Sequence, residues 1–336
     1  MREPPKLSNS QIHKLLQNHY GIEAAELTFL PIGNDAASFV YRVVDHYRGR
    51  FFLKVRTKPS FSEPSIAIPR FLHAQGIQQI MAALPTKTQA GWVEASGFVV
   101  TVYPFVKADT ATKVGLSDQQ WQTLGATLRQ IHDCPLPAEL QSMLPREAFV
   151  PSRRAILTQL ETLIANDTSV DSTQRELVRF WQRRATEIQT LLAHTDRLGA
   201  ALRQEALPMV LCHADFHTWN ILCSHNRELW IVDWDETMLA PKERDLMFVI
   251  RGIAAGLVSA QHTTSFLQGY GAATINQRAL TYYRYAWALQ DMAAYAEDVF
   301  FAPDLSDQAR RSSVAAFIGL FEPGQIVAIA DESDEE

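Results

Sequence analysis

The chain has 336 residues, 47% hydrophobic and 20% charged, with a formal net charge of −6, the profile of an ordinary globular protein with room for two lobes and a substantial core. The negative balance and the lack of any dense basic run exclude nucleic acid as the main partner, because phosphate neutralisation needs clustered Lys and Arg. Cys134, Cys212 and Cys223 fit neither a disulfide framework nor a zinc site, and no apolar run reaches the ~18 residues of a membrane helix.

In chain order, Ser8-Asn9-Ser10 offers N-caps for a helix ending near Tyr20-Gly21. Leu27 to Ile32 reads as a strand and Gly33-Asn34-Asp35 as a turn. Ser38–Val44 and Phe51–Arg56, rich in aromatic and β-branched residues, read as further strands. A helix is expected over about 65–74, bent or shortened by Pro69, and a strand over Gly97–Pro104. From Ser117 the texture turns helical: Ser117 caps a segment with Trp121, Leu124, Leu128 and Ile131 on one face. Amphipathic stretches follow near 153–165 and 173–205, short β segments at 209–212 and 229–233, then helices to about Phe321. The closing DESDEE reads as a solvated, disordered tail.

The chemistry concentrates in His213-Ala214-Asp215-Phe216-His217-Thr218-Trp219-Asn220, an H-x-D-x-x-x-x-N run. Phosphoryl transfer to an alcohol needs a carboxylate beside the attacking hydroxyl and an oxygen ligand for the metal on the phosphates. An Asp and an Asn five residues apart on a tight loop can serve both needs, with Phe216 and Trp219 anchoring the loop in the core. His213 reads as a brace for the loop, and His217 as either buried support or a substrate-side group. Asp233, at the end of the apolar run Leu229-Trp230-Ile231-Val232, is placed to hold Mg²⁺ once a hairpin returns it beside Asn220. Such an oxygen donor set suits Mg²⁺ better than zinc.

HADFHTWN and IVDWD together resemble the catalytic and metal-binding motifs of the aminoglycoside phosphotransferase family, relatives of protein kinases. The resemblance implies an α+β, two-lobe protein-kinase-like fold with a β-rich N-lobe and a helical C-lobe, and ATP and Mg²⁺ in the cleft. It makes Asp215 the catalytic base, Asn220 and Asp233 the magnesium ligands, and Lys54 in FFLKV the contact for the α- and β-phosphates. Glu243-Arg244-Asp245-Leu246 resembles the family's run after the metal loop. Gly33 would lie in the loop over the phosphates, Glu63 is the candidate partner of Lys54, and Tyr103-Pro104-Phe105 is either a strand end or the interlobe hinge whose backbone meets adenine. The Gly33 loop carries one glycine where protein kinases carry three, and Asp-Trp-Asp stands where they have Asp-Phe-Gly.

Within the family the likeness is to enzymes that phosphorylate a ring hydroxyl of an aminocyclitol antibiotic and so confer resistance. A cationic acceptor of that kind would call on carboxylates and aromatic faces. Asp235 and Glu236 beside the metal loop, and Trp287 and Asp291 four apart on a late helix, are candidates, with solvated or core positions as the alternative for each. The implied organisation is an N-terminal nucleotide-binding lobe over 1–106, a helical catalytic and substrate lobe over 107–330 and an acidic tail over 331–336. The partner is a small-molecule hydroxyl acceptor, with no nucleic acid and no membrane, in the cytoplasm. The same constellation on a metabolic alcohol such as choline, homoserine or a sugar, and a nucleotide-binding module without turnover, are the rival readings.

Overall fold

The computed structural model describes residues 4–31, 37–166, 171–303 and 305–334. These fall into two compact units, one from Met1–Pro145 with Asp215–Thr237 and the other from Arg146–Ala214 with Met238–Glu336. The division differs from a boundary near residue 106 because the chain goes on hydrogen-bonding within the first unit. Ala108–Thr110 pairs with Ile221–Ser224, which pairs in turn with Leu229–Ile231.

The first unit is built on an antiparallel sheet of five strands: β1 (Ala24–Leu30), β2 (Ser38–Asp45), β3 (Arg50–Thr57), β4 (Val93–Ala95) and β5 (Phe98–Pro104), in the order β1-β2-β3-β5-β4. Successive side chains on a strand point to opposite faces, and the two faces have different fates. Tyr41, Val43, Leu53, Val55, Val100 and Val102 form one core with Ile12 and Leu16 of the N-terminal helix. Burying an aliphatic side chain of this size contributes about 1.5–3 kcal/mol. The alternate residues Ser38, Val40, Phe52, Lys54, Arg56, Thr101 and Tyr103 line a cavity. Register sets this arrangement, with Lys54 opposite Val40 on one side and Thr101 on the other.

The N-terminal helix Asn9–Leu15 starts at a Ser8–Gln11 capping box, widens into a π-turn over Leu16–Tyr20 and stops at Gly21, whose φ of 72° suits a residue without Cβ. Pro69 lies inside the helix Pro64–Ala74 and is buried there. The Ser117 cap holds as read, opening Asp118–Asp133 with Gln120 completing its box. The expected turn at Gly33 lies outside the described residues.

The second unit gathers around the helix Gln277–Phe300, 24 residues long. Against it pack Arg154–Ala165, Ala185–Leu202, Asp307–Gly319 and Ile326–Asp334. The amphipathic stretch read near 173–205 is two helices, Ser172–Arg183 and Ala185–Leu202, joined at Arg184. The acidic terminus is corrected too: it is not a free tail through 331–334 but the last turns of a helix. Ser333 is a partner of the buried Arg284, its carbonyl accepts from Thr281 at 3.1 Å, and Asp331 accepts from Tyr285 at 3.0 Å. A buried guanidinium demands such partners, and local composition could not reveal one about fifty residues away. Among the described residues no helix is long and apolar enough to cross a membrane.

Candidate active site

The cavity on the open face of the sheet has a volume of about 550 Å³ and belongs wholly to the first unit. Leu30, Val40, Phe52, Met81, Val99, Leu222 and Val232 give it apolar walls, while Lys54, Arg56, Asn220, Asp233 and Asp235 supply polar groups. Tyr103 and Phe105 line it as well, and the Phe105 N–H donates to the Arg50 carbonyl at 3.3 Å. An apolar pocket with a few convergent polar groups is the usual form of a small-molecule site.

The loop after Asp215 is held from within. Asn220 Nδ2 donates to the Asp215 carboxylate at 2.8 Å and to the Asp215 carbonyl at 2.9 Å. The other Asp215 oxygen is 3.1 Å from His217 Nε2. Thr218 pairs with Thr112, hydroxyl to hydroxyl, at 2.7 Å. Phe216 is buried as expected, but Trp219 is 46% exposed, lines the cavity and meets the His217 ring edge-on. Trp219 is therefore not a core anchor. Helical or strand periodicity could not assign it, because it lies in a 3₁₀ turn, Thr218–Asn220.

The hairpin from Ile221 to Ile231 closes with the Val232 N–H donating to the Asn220 carbonyl at 3.0 Å, which returns Asp233 to the neighbourhood of Asn220. Asp233 has φ 63°, a left-handed conformation uncommon for a residue with a Cβ and concentrated at functional sites. Lys54 Nζ is 3.4 Å from both Asp233 Oδ1 and Asp235 Oδ2. Arg56 grips Asp235 with both terminal nitrogens, Nη1 to Oδ1 at 2.6 Å and Nη2 to Oδ2.

These neighbours set the protonation preferences. Burial raises the Asp235 carboxyl, but the Arg56 hydrogen bonds and the charge of Lys54 outweigh it and hold the group well below the usual carboxylate range. Asp233 moves the other way. Partial burial, with the negative charges of Asp235 and Asp215, raises it against the pull of Lys54. Burial would lower the Lys54 ammonium, and the two aspartates more than compensate, so it stays protonated.

Arg56 is the residue missed by sequence reading. It lies two positions after Lys54 on the same strand face, and that spacing was the available signal. Glu63, by contrast, is exposed at the start of Pro64–Ala74 and makes no ion pair with Lys54 among the described residues. Gly33 is outside the described residues. Glu236 is exposed. In the second unit Trp287 is buried, edge-on to Phe248 and under the Arg244 guanidinium, a packing position, and Asp291 is half-buried. Of the other acids on that helix, Glu297 pairs with Arg153 and Asp298 accepts from Ser313 at 2.7 Å.

Within the second unit, Asp245 is fully buried and accepts the backbone N–H groups of His213 at 2.9 Å and Ala214 at 2.6 Å. Ala214 is held at φ 65°. The chain immediately before Asp215 is thus fixed by a carboxylate from the Glu243–Leu246 turn.

A sheet carrying a cavity-facing lysine, a D-x-x-x-x-N loop and a hairpin ending in aspartate define a phosphotransferase of protein-kinase-like fold, with a β-sheet N-terminal region and a helical C-terminal region. Residues 28–303 match the model of the phosphotransferase enzyme family, APH, and the chain belongs to that family. Among solved structures it is similar to the spectinomycin phosphotransferase APH(9)-Ia in complex with ADP and spectinomycin, 30% identical over 99% of this chain and 100% of that one, with a TM-score of 0.89. The amicoumacin kinase hAmiN, in complex with AMP-PNP, Ca²⁺ and Ami, shares the fold at 18% identity, over 97% of this chain and 94% of that one, with a TM-score of 0.64. Protein StrN of Streptomyces griseus is 24% identical over 231 residues, 66% of this chain and 69% of that protein.

Proposed function

We propose that this phosphotransferase moves the γ-phosphoryl group of ATP onto a ring hydroxyl of an aminocyclitol antibiotic, spectinomycin being the first candidate. The observation that carries the chemistry is the meeting of Lys54, Asn220 and Asp233 on one cavity wall, with Asp215 hydrogen-bonded to Asn220. The acceptor rests on the 30% identity over essentially the full length of both chains to the spectinomycin enzyme, whose complex holds ADP and spectinomycin.

The donor atoms fit a magnesium ion. Asn220 commits its amide nitrogen to Asp215, which leaves its oxygen for a cation, and Asp233 offers a carboxylate, both hard ligands. Asp215, Asp233 and Asp235 also outnumber Lys54 and Arg56, an excess of negative charge that a cation relieves. When bound there, Mg²⁺ supplies charge neutralisation at the phosphate oxygens.

The chain's own residues do the rest. The apolar walls and the Tyr103–Phe105 segment take the adenine. Lys54 neutralises the α- and β-phosphates. Asp215, held by Asn220 and with His217 beside it, orients the acceptor hydroxyl in line with the γ-phosphorus. As the acceptor oxygen bonds to phosphorus, the bond from phosphorus to the β,γ-bridging oxygen breaks, ADP leaves with the electron pair, and the hydroxyl proton passes to the Asp215 carboxylate.

The test is ADP release by purified protein with MgATP and spectinomycin, beside other aminoglycosides, choline, homoserine and sugars, with product mass read in parallel. Spectinomycin-dependent release and a phosphorylated product are expected, together with raised spectinomycin tolerance in an expressing sensitive strain. A response confined to another alcohol would remove the antibiotic and keep the kinase. Silence across the panel would contradict the acceptor assignment.

A further inference from the structure

Lys54 requires a carboxylate that keeps its ammonium aimed at the phosphates. Glu63, at the start of the Pro64–Ala74 helix, does not meet this need, being exposed and outside ion-pair distance of Lys54. Two carboxylates are within 3.4 Å of the ammonium, those of Asp233 and Asp235, and they are not equivalent. Asp233 is about half exposed, at 48%, on a left-handed backbone, and is the carboxylate proposed for the cation. Asp235 is more enclosed and has both oxygens engaged by the guanidinium fork of Arg56, itself buried. A two-toothed Arg–carboxylate contact fixes orientation as well as distance, because both groups are planar and neither can turn without breaking a bond.

We infer that Asp235 is the positioning carboxylate for Lys54, and that Arg56 locks Asp235 in the orientation that does so. This rests on the phosphotransferase reading of the same cavity. When Asp233 turns to a cation, Asp235 remains as the lysine's partner, so the ammonium keeps its direction while its charge is offered to phosphate. Arg56 and Lys54 stand on one face of β3, two residues apart. The strand therefore carries both the phosphate contact and the clamp on its orienting acid, and it ties the Asp233–Asp235 turn to the sheet. The oxygens of Asp235 are committed to Arg56 and Lys54, which removes it from the set of acceptor-binding acids and makes it an ATP-side residue.

The experiment is a double-mutant cycle read on MgATP binding by calorimetry, without acceptor, and on the ATP and acceptor KM values. Asp235→Asn, Arg56→Lys and Glu63→Gln are each made alone and on Lys54→Met, with circular dichroism and melting curves reporting the fold. Asp235→Asn is expected to weaken MgATP binding about tenfold in the presence of Lys54 and less than about twofold on Lys54→Met, the non-additivity that marks two groups acting as one. Arg56→Lys, which keeps the charge and loses the fork, follows with a smaller loss of the same pattern and carries the test if Asp235→Asn does not fold. Equal losses in both backgrounds, a loss confined to the acceptor KM, or a larger loss from Glu63→Gln than from Asp235→Asn would each overturn the inference. Because MgATP binding is measured without acceptor, the choice of acceptor can fail while this arrangement stands, and the reverse.

Discussion

Replacing Asp245 by alanine should free the chain that leads into Asp215. Its carboxylate holds two buried N–H groups, those of His213 and Ala214, at 2.9 and 2.6 Å. Hydrogen bonds to a charged group contribute about 1.5–3 kcal/mol each, and removal leaves both donors buried without that acceptor. Ala214, at φ 65°, returns about 1–2 kcal/mol when it relaxes from the left-handed region. The net local loss is roughly 2–4 kcal/mol, or about thirty- to a thousandfold in the opening equilibrium at ~1.4 kcal/mol per decade. Hydrogen exchange followed by mass spectrometry, on peptides covering residues 209–216, reads this directly. The Asp307–Gly319 helix serves as an internal reference. Asp245→Asn keeps one acceptor oxygen and should fall between. Exchange in Asp245→Ala within about threefold of wild type would refute the reasoning, since even one lost bond of this kind exceeds that.

Arg56→Met should destabilise the protein at neutral pH and nearly as much in mild acid. The folded-state Asp235 carboxyl is depressed, so the stabilisation it brings is fully present above the ordinary carboxylate value and is lost as pH falls through the folded value. Urea unfolding at pH 7 and near pH 4.5 measures this: the two deficits should agree, because both conditions lie far above the folded value, and a deficit at pH 4.5 less than half of that at pH 7 would contradict it. Deleting residues 331–336 should lower the melting temperature by roughly 4–6 °C, because Arg284, Tyr285 and Thr281 lose partners worth about 1 kcal/mol each or more. A solvated tail would leave the melting curve unchanged. Trp219 lines the cavity and is 46% exposed, so MgATP should change the tryptophan emission, and Trp219→Phe should abolish most of that change. An undiminished signal in the variant would assign it to another tryptophan.

What could be read from residues alone was what local chemistry encodes. The strands of the main sheet announced themselves through aromatic and β-branched runs, and Ser8 and Ser117 marked helix starts that the capping boxes reproduce. The H-x-D-x-x-x-x-N spacing put Asp215 and Asn220 on one short loop, and the structure joins them there by a hydrogen bond. Partners distant in sequence were beyond reach. Nothing near Arg56 declares that Asp235, 179 residues on, will take its guanidinium, nor does DESDEE declare that Ser333 will meet Arg284. Glu63 stands at the expected position before a helix, but the backbone leaves it exposed at the helix entrance. Trp287 offers an aromatic face, but Arg244 and Phe248 pack against it. For Arg56, Ser333 and Trp287 the missing information was a tertiary contact that outbids a local preference.

The central claim is that Asp215 serves the acceptor hydroxyl while Lys54, Asn220 and Asp233 serve the nucleotide. Single-turnover phosphoryl transfer to spectinomycin by Asp215→Ala, with MgATP affinity measured on the same sample, separates the two. The account predicts that transfer falls by about a thousandfold or more, in line with the loss of a positioned base, while MgATP affinity stays within about threefold of wild type. Near-normal transfer by that variant, or a collapse of nucleotide binding that accounts for the whole loss, would contradict it.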